Sequence, residues 1–261
     1  IREQVGRYRA RTLICVLAIV LTLIPHLSGW AVRPTGSTYL ARGPIAFSDT
    51  MVYYAAMIEA AHGHVFTSNP FTSEPQQARL IQPIWLLGGW LMRGLHLSVE
   101  STYQLYRVLV MVGYLVFLWW VTKPVSETVQ GRTWVFFLLC FASGFGWIEY
   151  IFFHHGTSFD LWVSESNTFL SMLHSPLFMV SQLLFVVLLT TWWRILTQTI
   201  YNWWWLPGIV ALAIIHPYDV FTVSLFSGLL SVWFLVQTCL PSLHWPFLVA
   251  DTVCPVCFTI Y

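Results

Sequence analysis

The chain has 261 residues, of which 57% are hydrophobic, 17% aromatic and only 9% charged. A water-soluble globule of this composition would expose large apolar patches, so we predict an all-α integral membrane protein. The formal net charge is +1 and the arginines are scattered, which excludes the basic surface typical of nucleic-acid binding.

Hydrophobic runs near the length of about 20 residues that crosses a bilayer recur along the chain. We predict spans at residues 12–30, 103–122, 133–153, 176–196, 203–216 and 218–240, with a further span beginning near Trp245. This pattern predicts a polytopic transmembrane helix bundle of about six to seven spans, forming a single transmembrane domain over residues 1–261. Because the chain begins with Ile1 and stops in an apolar stretch, we expect it to be the N-terminal part of a longer protein.

The apolar run at residues 80–95 decides the topology. It is interrupted by Gln82, Pro83, two glycines and Arg93, so we expect a helix that lies at the membrane interface without crossing. Lys and Arg accumulate on the cytoplasmic side of membrane proteins. With this run non-crossing, the N-terminus is cytoplasmic, together with Arg2, Arg7, Arg9, Arg11, Lys123, Arg132 and Arg194. Residues 31–102 and 154–175 are then extracytoplasmic segments, and they hold most of the acidic residues.

The first extracytoplasmic segment is too long for a simple connection and is predicted to carry juxtamembrane helices. Ser48 is a candidate N-cap for a helix that continues to Ala61, which places Asp49 in its first turn. An Asp there can complement the helix dipole, or its carboxylate can act as a base. Arg79 and Arg93 present planar forks that suit phosphate, although each can also reach lipid headgroups without a specific role.

Arg107 lies about five residues inside an apolar span. A charge at that depth is costly unless it is paired or faces a wet cavity, which makes Arg107 a candidate functional residue. His216 and Asp219 flank Pro217, which must break a helix, so these two side chains either line a cavity or satisfy the freed backbone.

The second extracytoplasmic segment is rich in groups that bind a sugar or a divalent ion, or that transfer protons. A hydrated loop without specific chemistry is the alternative interpretation. No pair has a recognised zinc spacing, so we predict no metal site among its candidate residues, which are His154, His155, Asp160, Glu165 and Asn167.

This layout resembles the N-terminal half of the GT-C superfamily, which includes the dolichyl-phosphate-mannose mannosyltransferases. The resemblance lies in one cytoplasmic-start span, a long outer segment with an early Asp49 and Tyr53, a juxtamembrane helix, and a span entered through Arg107. More closely, the chain is similar to uncharacterised bacterial membrane proteins with a GT-C-like layout. The motifs that carry this similarity are Asp49–Tyr53, Phe71–Pro75, Ser143–Trp147, Asp160–Phe169 and His216–Asp219. The Asp-Asp or Asp-Glu pair that several members carry in the first outer loop is absent here.

The resemblance implies an inverting glycosyltransferase of a bacterial plasma membrane. It moves a sugar from a polyprenyl-phosphate donor to an acceptor hydroxyl on the extracytoplasmic side. Asp49 is then the catalytic base, and Arg79, Arg93 or Arg107 stabilises the departing lipid phosphate, with Mg²⁺ or Mn²⁺ as an optional helper. The other residues expected to bind substrate are Tyr53, His154, His155, Asp160, Glu165, Asn167, His216 and Asp219.

Two other classes of protein fit parts of the sequence. A transporter would also place ionisable groups near a pathway and break a helix at Pro217, but it is expected to show an internal repeat, which the chain lacks. A non-catalytic membrane scaffold is the other alternative, and it predicts that Asp49→Asn changes nothing measurable.

Overall fold

Helices account for the regular structure of this protein. The computed structural model describes residues 2–41, 47–69, 71–154, 158–198 and 202–239, and within these ranges it contains no strand. The helices are α1 Arg2–Ala31, α2 Phe47–Ala61, α3 Pro83–Leu95, α4 Val99–Val121, α5 Val129–Phe141, α6 Gly146–Phe153, α7 Phe159–Trp162, α8 Thr168–His174, α9 Pro176–Gln198, α10 Trp205–Ile215 and α11 Pro217–Cys239. A short 3₁₀ turn, Ser164–Ser166, precedes α8. The all-α prediction is confirmed for the described part of the chain.

Four helices are long and apolar enough to cross a membrane, as expected of an integral membrane protein: α1 from Arg9 onward, α4, α9 and α11. A fifth span is possible if α5 and α6, which are bent by 51° at their junction, form one broken span. The predicted total of six to seven spans is not reached in the described residues. The predicted span at 203–216 is α10, whose 11 residues cover only about 16 Å, and the one near Trp245 lies outside the described ranges.

The chain divides into two compact units, and each is described by itself. Unit 1 comprises Ile1–Leu115 and Phe137–Met179, and unit 2 comprises Val116–Phe136 and Val180–Tyr261. The single transmembrane domain expected from the sequence stays a prediction.

Within unit 1, α2 and α3 pack side by side and run parallel. Tyr53 stacks on Trp85 with ring centroids 4.2 Å apart, and further along both helices Gly89 lies against Ala60. A Cβ on Gly89 would approach the Cβ of Ala60 to 2.4 Å, so glycine is what allows this close contact. The 13 residues of α3 cover about 20 Å, too short to cross the hydrocarbon core, in agreement with the non-crossing helix expected at 80–95.

The connection from α2 to α3 has defined contacts of its own. Thr67 and Leu80 form an isolated antiparallel bridge, with N···O distances of 2.8 and 3.2 Å. The carboxylate of Glu59 accepts hydrogen bonds from the backbone N–H and the hydroxyl of Ser68, each at 3.3 Å. These bonds hold the long loop against α2, so the parallel arrangement of α2 and α3 does not depend on their shared face alone.

Unit 2 is built around Leu188, Leu212 and Val223, which come from α9, α10 and α11 and are almost fully buried. A Cβ on Gly208 would lie 2.7 Å from Leu188, so α10 approaches α9 closely at that point. The indole N–H of Trp192 reaches the main-chain oxygen of Ser227 at 3.0 Å. Apolar packing supplemented by small polar contacts of this kind is typical of helices packed within a bilayer.

Candidate functional site

Arg107 lies at the centre of a polar cluster in unit 1 and is fully buried. Its Nε donates to Gln104 Oε1 at 2.9 Å, and its Nη1 donates to the main-chain oxygen of Met172 at 2.7 Å. Its Nη2 donates to the main-chain oxygen of Thr22 at 3.4 Å. Within the described part of the chain, no carboxylate forms an ion pair with Arg107. The guanidinium is therefore held by neutral oxygens, and its positive charge is not locally neutralised.

His174 ends α8 close to this guanidinium and is only 1% exposed. Its ring stacks on Phe178 with centroids 5.6 Å apart, and neither ring nitrogen has a hydrogen-bond partner. Burial lowers the pKa of His174 to about 4; the charge of Asp49 acts to raise it and that of Arg107 to lower it further. His174 is therefore neutral near pH 7, with one nitrogen able to donate and the other able to accept.

Asp49 lies in the first turn of α2 at the exposed edge of the cluster. The charges of Asp49 and of Arg107 both act on the pKa of His174, in opposite directions. The helix begins at Phe47, so Ser48 belongs to its first turn and does not cap it as expected. The parallel N-termini of α2 and α3 both place the positive ends of their helix dipoles on this side of unit 1.

Three aromatic rings stack against one another in the same part of unit 1. Trp85 stacks between Tyr53, at 4.2 Å, and Tyr103, at 6.0 Å between ring centroids. The hydroxyl of Tyr103 donates to the main-chain oxygen of His174 at 2.8 Å. Burial raises the pKa of the Tyr53 hydroxyl, and Tyr103, Asp49 and Glu165 add to the rise. Glu165 is thus a second exposed carboxylate whose charge acts on Tyr53.

Buried polar groups without hydrogen-bond partners concentrate in this region. They are Nε2 of His26, Oγ1 of Thr50, Oε1 of Gln82 and both ring nitrogens of His174. The other ring nitrogen of His26 lies 3.2 Å from the side-chain nitrogen of Gln104. Folded proteins pair nearly all buried polar atoms, so these unpaired atoms distinguish this region from an ordinary helix interface.

The structure separates Arg93 from Asp49. Arg93 lies beside Gly63, just beyond the C-terminal end of α2, and about 18 Å of helix lie between Asp49 and that end. Arg79 is exposed, and its Nη2 donates to Gln77 Oε1 at 2.8 Å. Neither arginine joins the buried cluster, so of the three predicted phosphate ligands only Arg107 belongs to it.

Asp160 holds the bend between α5 and α6. Its Oδ2 accepts from the backbone N–H of Gly146 at 3.0 Å, and its Oδ1 accepts from the hydroxyl of Ser158. These hydrogen bonds hold the pKa of Asp160 below its usual value. A Cβ on Gly146 would approach Oδ1 of Asp160 to 2.3 Å, so the glycine makes room for the carboxylate. The geometry gives Asp160 a structural contact at the N-terminus of α6.

The remaining predicted residues have other environments. Asn167 caps α8, since its Oδ1 accepts from the N–H of Leu170 at 2.9 Å, and its Nδ2 donates to the main-chain oxygen of Asp160 at 3.1 Å. His154 is exposed and ends α6 in a left-handed conformation with φ of 53°. His155 lies outside the described residues.

His216 and Asp219 belong to unit 2. Nδ1 of His216 lies 3.0 Å from Oδ2 of Asp219, which also accepts from the hydroxyl of Ser181. This pair joins the start of α11 to α9, and a role in binding substrate stays a prediction.

Several residues of the cluster were missed by sequence reasoning. His26, Gln104 and Tyr103 are polar positions inside apolar spans, and that signal could have found them, as it found Arg107. His174 belongs to the polar second extracytoplasmic segment, but its packing against α4 could not be predicted from the sequence. Among the described residues, no group of three or more His, Cys, Asp or Glu is arranged to hold a metal ion, and the optional divalent cation stays a prediction.

Comparison of the chain with known protein families, with curated proteins and with solved structures finds no match. The function must therefore be inferred from the chemistry of the cluster itself.

Proposed function

We propose that the protein is a membrane glycosyltransferase that moves a sugar from a polyprenyl-phosphate donor to an acceptor hydroxyl. The observation that carries the proposal is that the charges of the exposed Asp49 and the buried Arg107 both act on His174, whose ring nitrogens have no hydrogen-bond partner. A base next to a positive potential suits a reaction that removes a proton and releases a phosphate.

The reaction begins when the acceptor hydroxyl attacks the anomeric carbon of the donor sugar. Asp49 takes the hydroxyl proton as the new glycosidic bond forms, and the bond between the anomeric carbon and the phosphate oxygen breaks. The polyprenyl phosphate leaves with the bonding electron pair. Attack on the face opposite to the leaving phosphate inverts the configuration of the sugar carbon.

The negative charge of the departing phosphate needs an electrostatic partner. Arg107 is fully buried and already donates to three oxygens, so we assign it the role of creating positive potential and of positioning α8. The exposed Arg79 remains the candidate for direct contact with the phosphate. Tyr53, one turn after Asp49 on α2, is partly exposed and offers an aromatic ring to the sugar.

The broken α5–α6 span is the feature that favours a transporter. Transporters use the N-terminus of a half-helix to bind an anionic substrate group. Here the carboxylate of Asp160 already occupies the N-terminus of α6, so that position is not open to a substrate. This contact weighs against the transporter and leaves the glycosyltransferase as the better-supported proposal.

The test is transfer of radiolabelled sugar from a panel of polyprenyl-phosphate donors by the protein in liposomes. Asp49→Asn is expected to lower the initial rate by about 100-fold or more, because the base is lost while the side chain keeps its size. Glu74→Gln is the matched control, since Glu74 is an exposed acid in the loop between α2 and α3. Undiminished transfer by Asp49→Asn would remove Asp49 from the mechanism, and no transfer from any donor would overturn the function itself.

A further inference from the structure

Unit 2 contains a cleft that plays no part in the proposed reaction. Its enclosed volume is about 140 Å³, which is less than the range of about 300–1,000 Å³ typical of a small-molecule pocket, so a larger ligand would extend along the helix surface. The walls come from the C-terminal part of α4 and from α9, including Phe117, Trp120, Val186 and Val187. These walls are apolar, and Trp120 and Val187 are 37% and 39% exposed, so the cleft is accessible from the helix surface.

Two cations line the same cleft. Lys123 follows the end of α4, and Arg194 lies in the last part of α9, four residues before its end. Among the described residues that line the cleft there is no carboxylate. The helix ends contribute only about half a negative charge each, less than the two full positive charges. The cleft therefore has an apolar wall and a cationic mouth.

The position of the cleft along the helices suits a lipid. Both α4 and α9 are candidate membrane spans, and the cleft lies at their C-terminal ends, where a span reaches the membrane boundary. Single Lys or Arg residues at span ends commonly reach headgroups without selectivity. Two cations from different helices at the mouth of one apolar cleft are typical of binding sites for anionic headgroups.

We propose that this cleft binds one anionic phospholipid, with an acyl chain along the apolar wall and the phosphate between Lys123 and Arg194. The charge complementarity and the apolar wall together select this occupant over a free anion, which has nothing to place against Trp120 and Val187. The inference is independent of the proposed transferase activity.

The test measures retention of phosphatidylglycerol by the protein in detergent, using native mass spectrometry, with phosphatidylcholine as the neutral comparison. Lys123→Gln and Arg194→Gln are each expected to weaken phosphatidylglycerol binding about tenfold. Arg132→Gln is the matched control, because Arg132 is a cation of the same unit that does not line the cleft. Val187→Trp fills the cleft without changing charge and is expected to abolish retention.

Each outcome bears on the proposal. Millimolar inorganic phosphate is expected to leave the bound lipid in place. Displacement of the lipid by phosphate would show that the cleft binds anions without recognising the acyl chain. If Arg132→Gln weakened phosphatidylglycerol binding as much as the two cleft substitutions do, the effect would be one of overall surface charge and not of the cleft. Normal retention by Val187→Trp would overturn the assignment of the cleft. Circular dichroism of each variant verifies that the helices are intact.

Discussion

Nη1 of Arg107 donates a 2.7 Å hydrogen bond to the main-chain oxygen of Met172, and so joins α4 to the short helix that ends at His174. Tyr103, one turn earlier on α4, donates to the oxygen of His174 itself at 2.8 Å. The position of the His174 ring near Asp49 thus depends on two side chains of α4. Part of the cost of burying Arg107 is offset because its Nη1 satisfies the main-chain oxygen of Met172 near the end of α8.

Arg107→Met is expected to lower the free energy of unfolding by about 2 kcal/mol or more, because Gln104 and Met172 lose a charged donor in a buried setting. Thermal unfolding followed by circular dichroism in detergent measures the change. Arg93→Met is the control, since Arg93 is exposed near the end of α3, and its midpoint is expected to stay near that of the unmodified protein. Equal midpoints for the two variants would show that the bonds of Arg107 do not stabilise unit 1.

Acid is expected to destabilise the protein through His174. The pKa of His174 in the folded chain is about 4, against about 6.5 for an unperturbed histidine. Between these two pH values the unfolded chain binds a proton at His174 and the folded chain does not. The stability contributed by the neutral ring is complete above pH 6.5 and is lost as the pH falls toward 4, by about 3 kcal/mol in all.

Unfolding midpoints measured at several pH values between 7.5 and 4 test this dependence. His174→Gln is expected to flatten the loss of stability in acid, whereas His62→Gln, which changes an exposed histidine near the end of α2, is expected to leave it unchanged. A His174→Gln variant as acid-sensitive as the unmodified protein would assign the sensitivity to other groups.

The long membrane helices could be predicted from the sequence because continuous apolar runs specify them. Pro176 and Pro217 also marked the starts of α9 and α11 to within two residues, since proline is favoured at the first position of a helix. The apolar stretch at 203–216 was wrongly assigned as a span because composition does not reveal that α10 stops after 11 residues, next to Pro217.

The candidate site was less predictable, because its members meet through tertiary packing. Asp49, Tyr53 and Arg107 stood out by residue type and position, yet nothing local indicates that α2 and α3 run parallel or that His174 faces α4. Gly88 and Gly89 appeared in the sequence only as interruptions of an apolar run. In the structure α2 packs on these two glycines. A Cβ placed on Gly88 would lie 3.2 Å from the side chain of Met57.

The contact between α2 and α3 predicts opposite effects for two glycines of the same helix. Gly89→Ala is expected to destabilise unit 1, because the new Cβ would lie 2.4 Å from the Cβ of Ala60 and 2.5 Å from the oxygen of Met57. Gly94→Ala meets nothing within 4 Å and is expected to stabilise α3 by up to about 1 kcal/mol, through the higher helix propensity of alanine.

Unfolding midpoints of the two variants provide the measurement, and transfer activity provides a second readout. Because α3 supports Tyr53 through Trp85, Gly89→Ala is also expected to lower transfer, while Gly94→Ala leaves it unchanged. Destabilisation of the same size by both substitutions would mean that the close packing of α2 on α3 is not what holds this pair of helices.

The proposed reaction requires Asp49 on the extracytoplasmic side, and the sidedness of two exposed positions tests the predicted topology. Glu127 lies between α4 and α5, on the side predicted to be cytoplasmic, and Ser166 lies in the second predicted extracytoplasmic segment. Glu127→Cys is expected to resist a membrane-impermeant thiol reagent in intact cells, and Ser166→Cys to react with it. The unmodified protein gives the background from its own cysteines. Reaction of Glu127→Cys from outside would reverse the topology, because the run of spans would then place Asp49 on the cytoplasmic face, away from an extracytoplasmic donor.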